Sequence, residues 1–270
     1  MQSSEKKICF VIKDKVSHSL SPAMHNAAYK ALGIDSEYIF LAKQIKPEEL
    51  GFAMQNELCA PNICAFAVTI PHKEAIIKYM DEIDETAKVI GAVNTVINAN
   101  GKLKGYNTDW KGAINSLLKC TSLKNKKVAV FGSGGTARAI VYGLSKEGSQ
   151  VILYGRNKTT AENIAEQYEC KVYPWENRNE ATNADIIINT TPIGREDNAS
   201  PISVENITEK HIIFDVNYKK GGTQLLNLAK QKGAIVIDGL EMLLQQGKLQ
   251  FELYTGLKAP EEAMREALYK

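Results

Sequence analysis

The stretch Lys127-Val-Ala-Val-Phe-Gly-Ser-Gly-Gly-Thr-Ala-Arg-Ala-Ile140 constrains this chain more than any other. Val128 to Phe131 form a short apolar run, suited to a strand buried on both faces of a parallel sheet. Small residues follow at Gly132, Gly134 and Ala137, with the spacing G-x-G-x-x-A. Each place has a steric reason. The first glycine permits a tight turn, and the second lets backbone approach a pyrophosphate. The small third residue lets the new helix pack against its strand. N–H groups at that helix start then face an anion. The context predicts a dinucleotide-binding unit; the plainer alternative is a strand–turn–helix whose glycines only turn the chain.

The following strand, Gln150 to Tyr154, bears on which dinucleotide is bound. A site for NAD places Asp or Glu near the end of that strand, for the ribose hydroxyls. This chain has Gly155-Arg156-Asn157-Lys158 instead. A guanidinium there suits a 2′-phosphate through paired, charge-assisted hydrogen bonds. The expected cofactor is NADP, with Arg156 as its main discriminating contact.

At 270 residues the chain is long enough for one large domain or two smaller ones. A net charge of +2 gives no electrostatic case for a nucleic-acid or membrane partner. The five cysteines are odd in number and contain no C-x-x-C pair, which fits reduced thiols in the cytoplasm. The four histidines lack metal-ligand spacing, so no metal is expected. No apolar run approaches the roughly 20 residues of a membrane span, and the polar start lacks the apolar core of a signal peptide.

Taken in order, the chain reads as strands alternating with helices, which predicts an α/β fold with mainly parallel sheets. Strands are expected at 8–12, 37–41, 63–70, 92–97 and 102–106, the last two joined by the turn Asn98-Ala-Asn-Gly101. Helices are expected at 23–32, with Ser21 as cap, from Pro47 to about 58, from Pro71, and at 110–118 after Thr108 and Asp109. After the central unit come strands at 171–173, 184–189, 211–216 and 234–237. Helices at 158–167, 223–231, 240–254 and 260–269 complete the reading. The expected division is a substrate-binding lobe (1–110, completed by helices at 239–270) and a Rossmann-type lobe (111–238).

Polar residues gather at strand ends, where open α/β sheets place ligands. Ser19 and Ser21 sit beside a helix start, as carboxylate ligands or simply as loop and cap residues. Lys73 falls in a first helical turn, where the dipole disfavours a cation; it serves a site or is a solvated surface lysine. Asn94 interrupts an apolar strand, so its amide needs a partner. Asp109 reads as a helix cap, but with Lys73 it also forms an acid–base pair suited to ketone reduction. Hydride addition to a carbonyl leaves an alkoxide, to which a proton must be delivered.

Seven motifs in this order carry a resemblance. They are Ser17-His-Ser-Leu-Ser-Pro22 with His25-Asn26, Val68-Thr-Ile-Pro-His-Lys73, Gly91-Ala-Val-Asn-Thr95, Gly105-Tyr-Asn-Thr-Asp109, the glycine loop, Asn189-Thr-Thr-Pro-Ile-Gly194, and Asp238-Gly-Leu-Glu-Met-Leu-Leu-Gln-Gln246. Through them the chain resembles the shikimate dehydrogenase family over essentially its full length. The resemblance implies an oxidoreductase for the NADPH-dependent reduction of 3-dehydroshikimate to shikimate in chorismate and aromatic amino-acid biosynthesis. A paralogue acting on quinate is the alternative, and a non-catalytic nucleotide sensor is a further one. The implied catalytic pair is Lys73 and Asp109. Implied substrate contacts are Ser19, Ser21, Thr69, Lys73, Asn94, Asp109, Tyr218 and Gln246. Implied cofactor contacts are Gly132, Ser133, Gly134, Gly135, Thr136, Ala137, Arg156, Asn157, Thr190 and Gly239. The expected partner is a small acid, with the chain a monomer or homodimer.

The chain also departs from the family pattern. Ala67 stands where Asn holds substrate hydroxyls, and Lys13 and Lys15 replace Gly and Pro. Gly155 replaces Asn, Arg195 replaces Met, Lys220 replaces Pro, and Glu241 replaces Gly.

Overall fold

Two six-stranded sheets organise the described residues. The structure, a computed structural model, describes residues 6–15 and 19–270; Ser17 and His18 of the first motif lie outside the described residues. Cα packing divides the chain into two units. Unit 1 comprises residues 1–108 and 246–270, and unit 2 comprises residues 109–245.

Unit 1 opens with β1 (Lys7–Lys13), α1 (Ser21–Ala31), β2 (Tyr38–Gln44), α2 (Leu50–Asn56) and β3 (Ile63–Val68). It continues with α3 (His72–Ala75), β4 (Glu82–Ile83), α4 (Glu85–Ile90), β5 (Thr95–Ala99) and β6 (Lys102–Tyr106). The strand order is β2-β1-β3-β5-β6-β4. β1 runs parallel to β2 and β3, whereas β5 is antiparallel to both β3 and β6. The β5–β6 hairpin turns at Asn100 (φ 56°) and Gly101 (φ 89°), the left-handed pair that the Asn-Gly signal predicts. One apolar core forms from Ile12, Leu50, Phe66, Val68, Val93 and Val96 with their neighbours.

Unit 2 begins with α5 (Asp109–Leu118), β7 (Lys127–Phe131), α6 (Gly135–Lys146), β8 (Gln150–Tyr154), α7 (Lys158–Tyr168) and β9 (Lys171–Tyr173). It continues with β10 (Ile186–Asn189), β11 (Ile212–Asp215), α8 (Gln224–Gln231) and β12 (Ile235–Ile237). α9 (Gly239–Thr255) follows, and α10 (Glu261–Tyr269) ends the chain. All strands of this sheet are parallel, in the order β12-β11-β10-β7-β8-β9. The order reverses between β7 and β10, the topological switch point at which such sheets bind ligands. Every residue of β10 and β11 is buried, as the continuous apolar runs predict. The second unit boundary falls inside α9. Met242, in its first turns, belongs to the core built on Val128, Ile140 and Ile188.

Several elements differ from the sequence reading. The helix at Pro47 is a 3-10 turn, Pro47–Glu49, before the seven-residue α2. The strand expected from Ala92 starts at Thr95, and the helix after Thr108 starts at Asp109 itself. The expected cap Ser21 is already helical; Leu20 holds the cap position without a side-chain bond. Two elements lay below the reach of periodicity. β4 has two residues, and the 3-10 segment Trp175–Asn183 buries only Ala181.

A buried aromatic cluster fastens the chain's end to its beginning within unit 1. His25 and Tyr29 of α1 meet Phe40 of β2 and Phe251 and Tyr254 of α9. The His25 ring stacks on Phe40 at 4.3 Å and 7°. It is fully buried, and burial lowers its pKa to about 3, opposed by the Gln250 carboxamide. As pH falls below the unfolded value of about 6.5, the unfolded chain takes up this proton while the folded chain does not. Stability is therefore lost between about pH 6.5 and pH 3, at about 1.4 kcal/mol per pH unit for this one group. Urea unfolding across that window should show a shallower pH dependence for His25→Phe by that slope. An unchanged slope would contradict the assignment.

Candidate functional site

In unit 1 the carboxyl ends of β1 and β3 lie at the same edge as the start of β5 and the end of β6, because β5 and β6 form a hairpin beside β3. Thr69 follows β3 at that edge, and its N–H donates to the Ile12 carbonyl of β1 (3.2 Å). Lys73 follows on α3, where its carbonyl accepts from Val93 N–H (2.8 Å). Asn94, adjacent to Val93, accepts through its backbone carbonyl from Val68 N–H (2.7 Å). Backbone bonds thus hold the Thr69, Lys73 and Asn94 segments together.

The Asn94 carboxamide is the hub of this edge. Its Oδ1 accepts from Thr108 N–H (2.8 Å) and Thr95 Oγ1 (2.7 Å). Its Nδ2 donates to Thr108 Oγ1 (2.9 Å) and to Gln246 Oε1 (3.3 Å). Gln250, one turn along α9, donates to the Asn94 carbonyl (3.2 Å) and Thr95 Oγ1 (3.0 Å). Asn94, Thr95, Thr108, Gln246 and Gln250 are all buried. The partner that the sequence demanded for Asn94 is therefore a set, of which Thr95, Thr108 and Gln250 were not singled out. Hydroxyl and amide types recurring at strand ends and along one face of α9 are the signal that points to them. Ala67, buried in β3, pairs in register with Thr95 and offers no polar side-chain atom there. Ser19 is half-buried before α1, and Ser21 is buried at its first residue with its hydroxyl not used as a cap. Asp109, which follows Thr108 in the chain, is buried and opens α5 as the first residue of unit 2.

In unit 2 the glycine turn lies at the switch point. Gly132 has φ +111°, and a Cβ there would come within 2.3 Å of Thr190 Oγ1. Thr190 is fixed in turn, donating to the Phe131 carbonyl from both its hydroxyl (2.5 Å) and its N–H (2.9 Å). Around Gly134 a Cβ would meet nothing within 4 Å, so the turn leaves open space there. The α6 ladder begins with Arg138 N–H donating to Gly134 O (3.0 Å), and the cap carries no side-chain bond. The first turn of a helix contributes N–H groups that lie outside its own ladder, which suits a phosphate. Ala137 is buried against the sheet, the role expected of the third small residue.

Arg156 is exposed between β8 and α7, and Asn157 caps α7 by accepting from Thr160 N–H (3.1 Å). Gly155 has a packing reason: a Cβ would lie 2.9 Å from Ala161 Cβ. Gly239 is similarly constrained, since a Cβ would lie 2.3 Å from the Val216 carbonyl.

A buried polar knot behind this turn went unread in the sequence. Asp215, at the end of β11, accepts from Asn189 Nδ2 (3.1 Å), Asn217 N–H (3.0 Å), Asn217 Nδ2 (3.0 Å) and Thr223 Oγ1 (2.8 Å). Burial raises its pKa, and these four donors oppose the rise. An Asp ending an apolar strand was the available signal, by the argument used for Asn94. Arg195 donates through Nε to Asn217 Oδ1 (3.1 Å), and burial raises the Tyr218 phenol pKa. Glu241 accepts from Lys119 Nζ (2.6 Å) and Gln245 Nε2 (2.9 Å) within unit 2. Lys220 is exposed. Among the described residues no group of three or more His, Cys, Asp or Glu side chains is placed to hold a metal. No helix among them is long and apolar enough to cross a membrane.

Residues 11–96 match the shikimate dehydrogenase substrate binding domain, and residues 239–269 match the shikimate 5'-dehydrogenase C-terminal domain. Residues 127–218 match a model described as NADP oxidoreductase, coenzyme F420-dependent. A shikimate dehydrogenase (NADP(+)) of Nitrosopumilus maritimus is 41% identical over 266 residues, covering 96% of each chain. The chain belongs to the shikimate dehydrogenase family. Among solved shikimate dehydrogenases, that of Aquifex aeolicus superposes with a TM-score of 0.93 at 37% identity, covering 100% of both chains. That of Thermus thermophilus, in complex with NADP(H) and shikimate, gives 0.88 at 35% identity, covering 97% of this chain and 98% of the other.

The two glycines of the turn separate fold from ligand in this shikimate dehydrogenase family member. Gly132→Ala should lose about 1–3 kcal/mol of stability, from its strained φ and the Thr190 clash. Gly134→Ala, at the α6 cap, should lose no more than about 1 kcal/mol while still weakening NADP binding. Thermal unfolding and NADP titration of both variants check this; equal destabilisation would contradict it.

Proposed function

We propose that this chain catalyses the reversible NADPH-dependent reduction of 3-dehydroshikimate to shikimate, as a cytoplasmic enzyme of aromatic biosynthesis. The observation that carries the reading is the polar cluster at one sheet edge of unit 1, where the Asn94, Thr108 and Gln246 side chains bond to one another and the Lys73 segment is joined by its backbone to Val93, next to Asn94. A cyclic polyhydroxy acid is matched by such groups. Amide and hydroxyl side chains fixed by one another read its hydroxyls, and a lysine stands by for its ketone. The substrate-bound Thermus relative supports the choice of acid. Unit 1 is the substrate domain and unit 2 the cofactor domain.

The turn at Gly132 to Ala137, with Arg156, Asn157, Thr190 and Gly239, fits NADP. The crowding at Gly132 and the open space at Gly134 give the cradle a pyrophosphate needs. When bound, NADPH supplies the hydride. The chain's own residues supply the rest. The Lys73 ammonium hydrogen-bonds the ketone oxygen and delivers the proton that the developing alkoxide requires. Asp109 is the carboxylate partner of this proton transfer. Thr69 and Gln246 hold ring hydroxyls, Asn94 exchanges one of its internal bonds for a ring hydroxyl, and Ser19, Ser21 and Tyr218 hold the carboxylate. Arg156 pairs with the 2′-phosphate.

Quinate is the second reading, favoured by one observation. Ala67 leaves the β3 side of this edge without an amide, which loosens selection among hydroxyl patterns. Following reduced-cofactor formation by absorbance, with shikimate or quinate and with NADP or NAD, tests both readings. Shikimate with NADP should give the highest kcat/KM. A preference for quinate with NAD would reject the first reading, and no turnover with any pair would reject both. Lys73→Ala should lower kcat by about 100-fold or more, with a smaller change in shikimate KM. Turnover within a few-fold of the parent would remove Lys73 from the proton path.

A further inference from the structure

A pair of cysteines outside both clusters carries chemistry that dehydrogenation does not use. Cys9 lies in β1 and Cys64 in β3, adjacent parallel strands. Successive strand residues ordinarily face opposite sides of a sheet. Here the register slips, since Ile8 pairs with Ile63 but Cys9 pairs with Ala65, leaving Cys64 as the extra residue of a β-bulge. Ile63, Phe66 and Val68 share one core, and the bulge turns Cys64 away from it to the side of Cys9. The two sulfur atoms lie 3.1 Å apart.

The two thiols differ in access and in acidity. Cys9 is fully buried, whereas Cys64 is half-buried. The Cys9 hydrogen bond lowers the Cys64 pKa, burial opposes this, and Lys7 assists it. The Cys9 pKa is raised, first by the Cys64 hydrogen bond and then by burial. A reachable sulfur whose pKa is lowered, beside a buried thiol, is the arrangement of an attacking and a resolving cysteine.

We propose that Cys9 and Cys64 form a reversible dithiol–disulfide site, oxidised by a peroxide through Cys64. The Cys64 thiolate attacks one peroxide oxygen, the O–O bond breaks, and the departing oxygen leaves as water after taking a proton. Cys64 is then a sulfenic acid. Cys9 sulfur attacks the Cys64 sulfur, the S–S bond forms, the S–O bond breaks, and hydroxide leaves with the Cys9 proton as water. Two thiols lose two electrons and two protons, and one peroxide becomes two waters. A dithiol reductant reverses the change by exchange, becoming a disulfide itself. The pair lies toward the amino ends of β1 and β3, so the cross-link ties the strands without occupying the edge that carries Lys73 and Asn94.

The test is peptide mapping of the full chain. The protein is treated with hydrogen peroxide at neutral pH, denatured, alkylated, and digested without reduction. Peptides bearing Cys9 and Cys64 should appear cross-linked, lighter by two hydrogens than their sum. Alkylatable thiols should fall from the full five to three and return to five after dithiothreitol. Recovery of Cys64 as a sulfinic acid, or unmodified, with Cys9 still alkylatable would overturn the proposal. In Cys9→Ala, peroxide should drive Cys64 to a sulfinic acid that dithiothreitol does not restore. Should that variant fail to fold, the parent's map decides alone.

Discussion

Unit 1 depends on the carboxamide of Asn94. An amide buried at the end of apolar strands is costly unless every donor and acceptor is met. Here Oδ1 accepts from Thr95 and Thr108, and Nδ2 donates to Thr108 and Gln246. Thr108 ends the first segment of the unit, while Gln246 opens the second, more than a hundred residues later. The same bonds that satisfy one buried amide therefore close a discontinuous unit. They also leave a row of fixed polar groups at the sheet edge, beside the segment that carries Lys73. The aromatic cluster of His25, Phe40, Phe251 and Tyr254 adds apolar contact to the same closure.

Unit 2 solves a different problem, bringing backbone near a charged ligand without filling the space. Gly132 takes a left-handed conformation against Thr190, so no side chain fits at the switch point between β7 and β10. Behind it, Asp215 gathers four donors from Asn189, Asn217 and Thr223. That knot fixes the loops after β10 and β11, at the end of the sheet that carries the glycine turn. Its carboxylate has no exposure to solvent, so the fixation is insulated from water.

The features most legible in the sequence were those whose cause is local. The G-x-G-x-x-A turn, the Asn-Gly hairpin and the continuous apolar strands each follow from sterics or burial within a few residues. The motif resemblance then supplied candidate site residues that spacing alone left open, such as Ser21 and Gln246. What stayed unread was set by tertiary pairing. Ser21 proved helical and not a cap, because α1 begins at Ser21 itself. The antiparallel β5 depends on which strand the hairpin meets, which periodicity does not encode. The Cys9–Cys64 contact exists only through a one-residue slip between strands more than fifty residues apart. Gly155 and Glu241 stood as departures, and each has a contact within unit 2 that accounts for it.

Steady-state kinetics of Asn94→Ala, with both substrates varied, shows whether the Asn94 edge of unit 1 reads the substrate. The kcat/KM for shikimate should fall by about 10- to 100-fold, with KM for NADP within about twofold of the parent. An unchanged kcat/KM for shikimate, or an equal loss toward NADP, would contradict it.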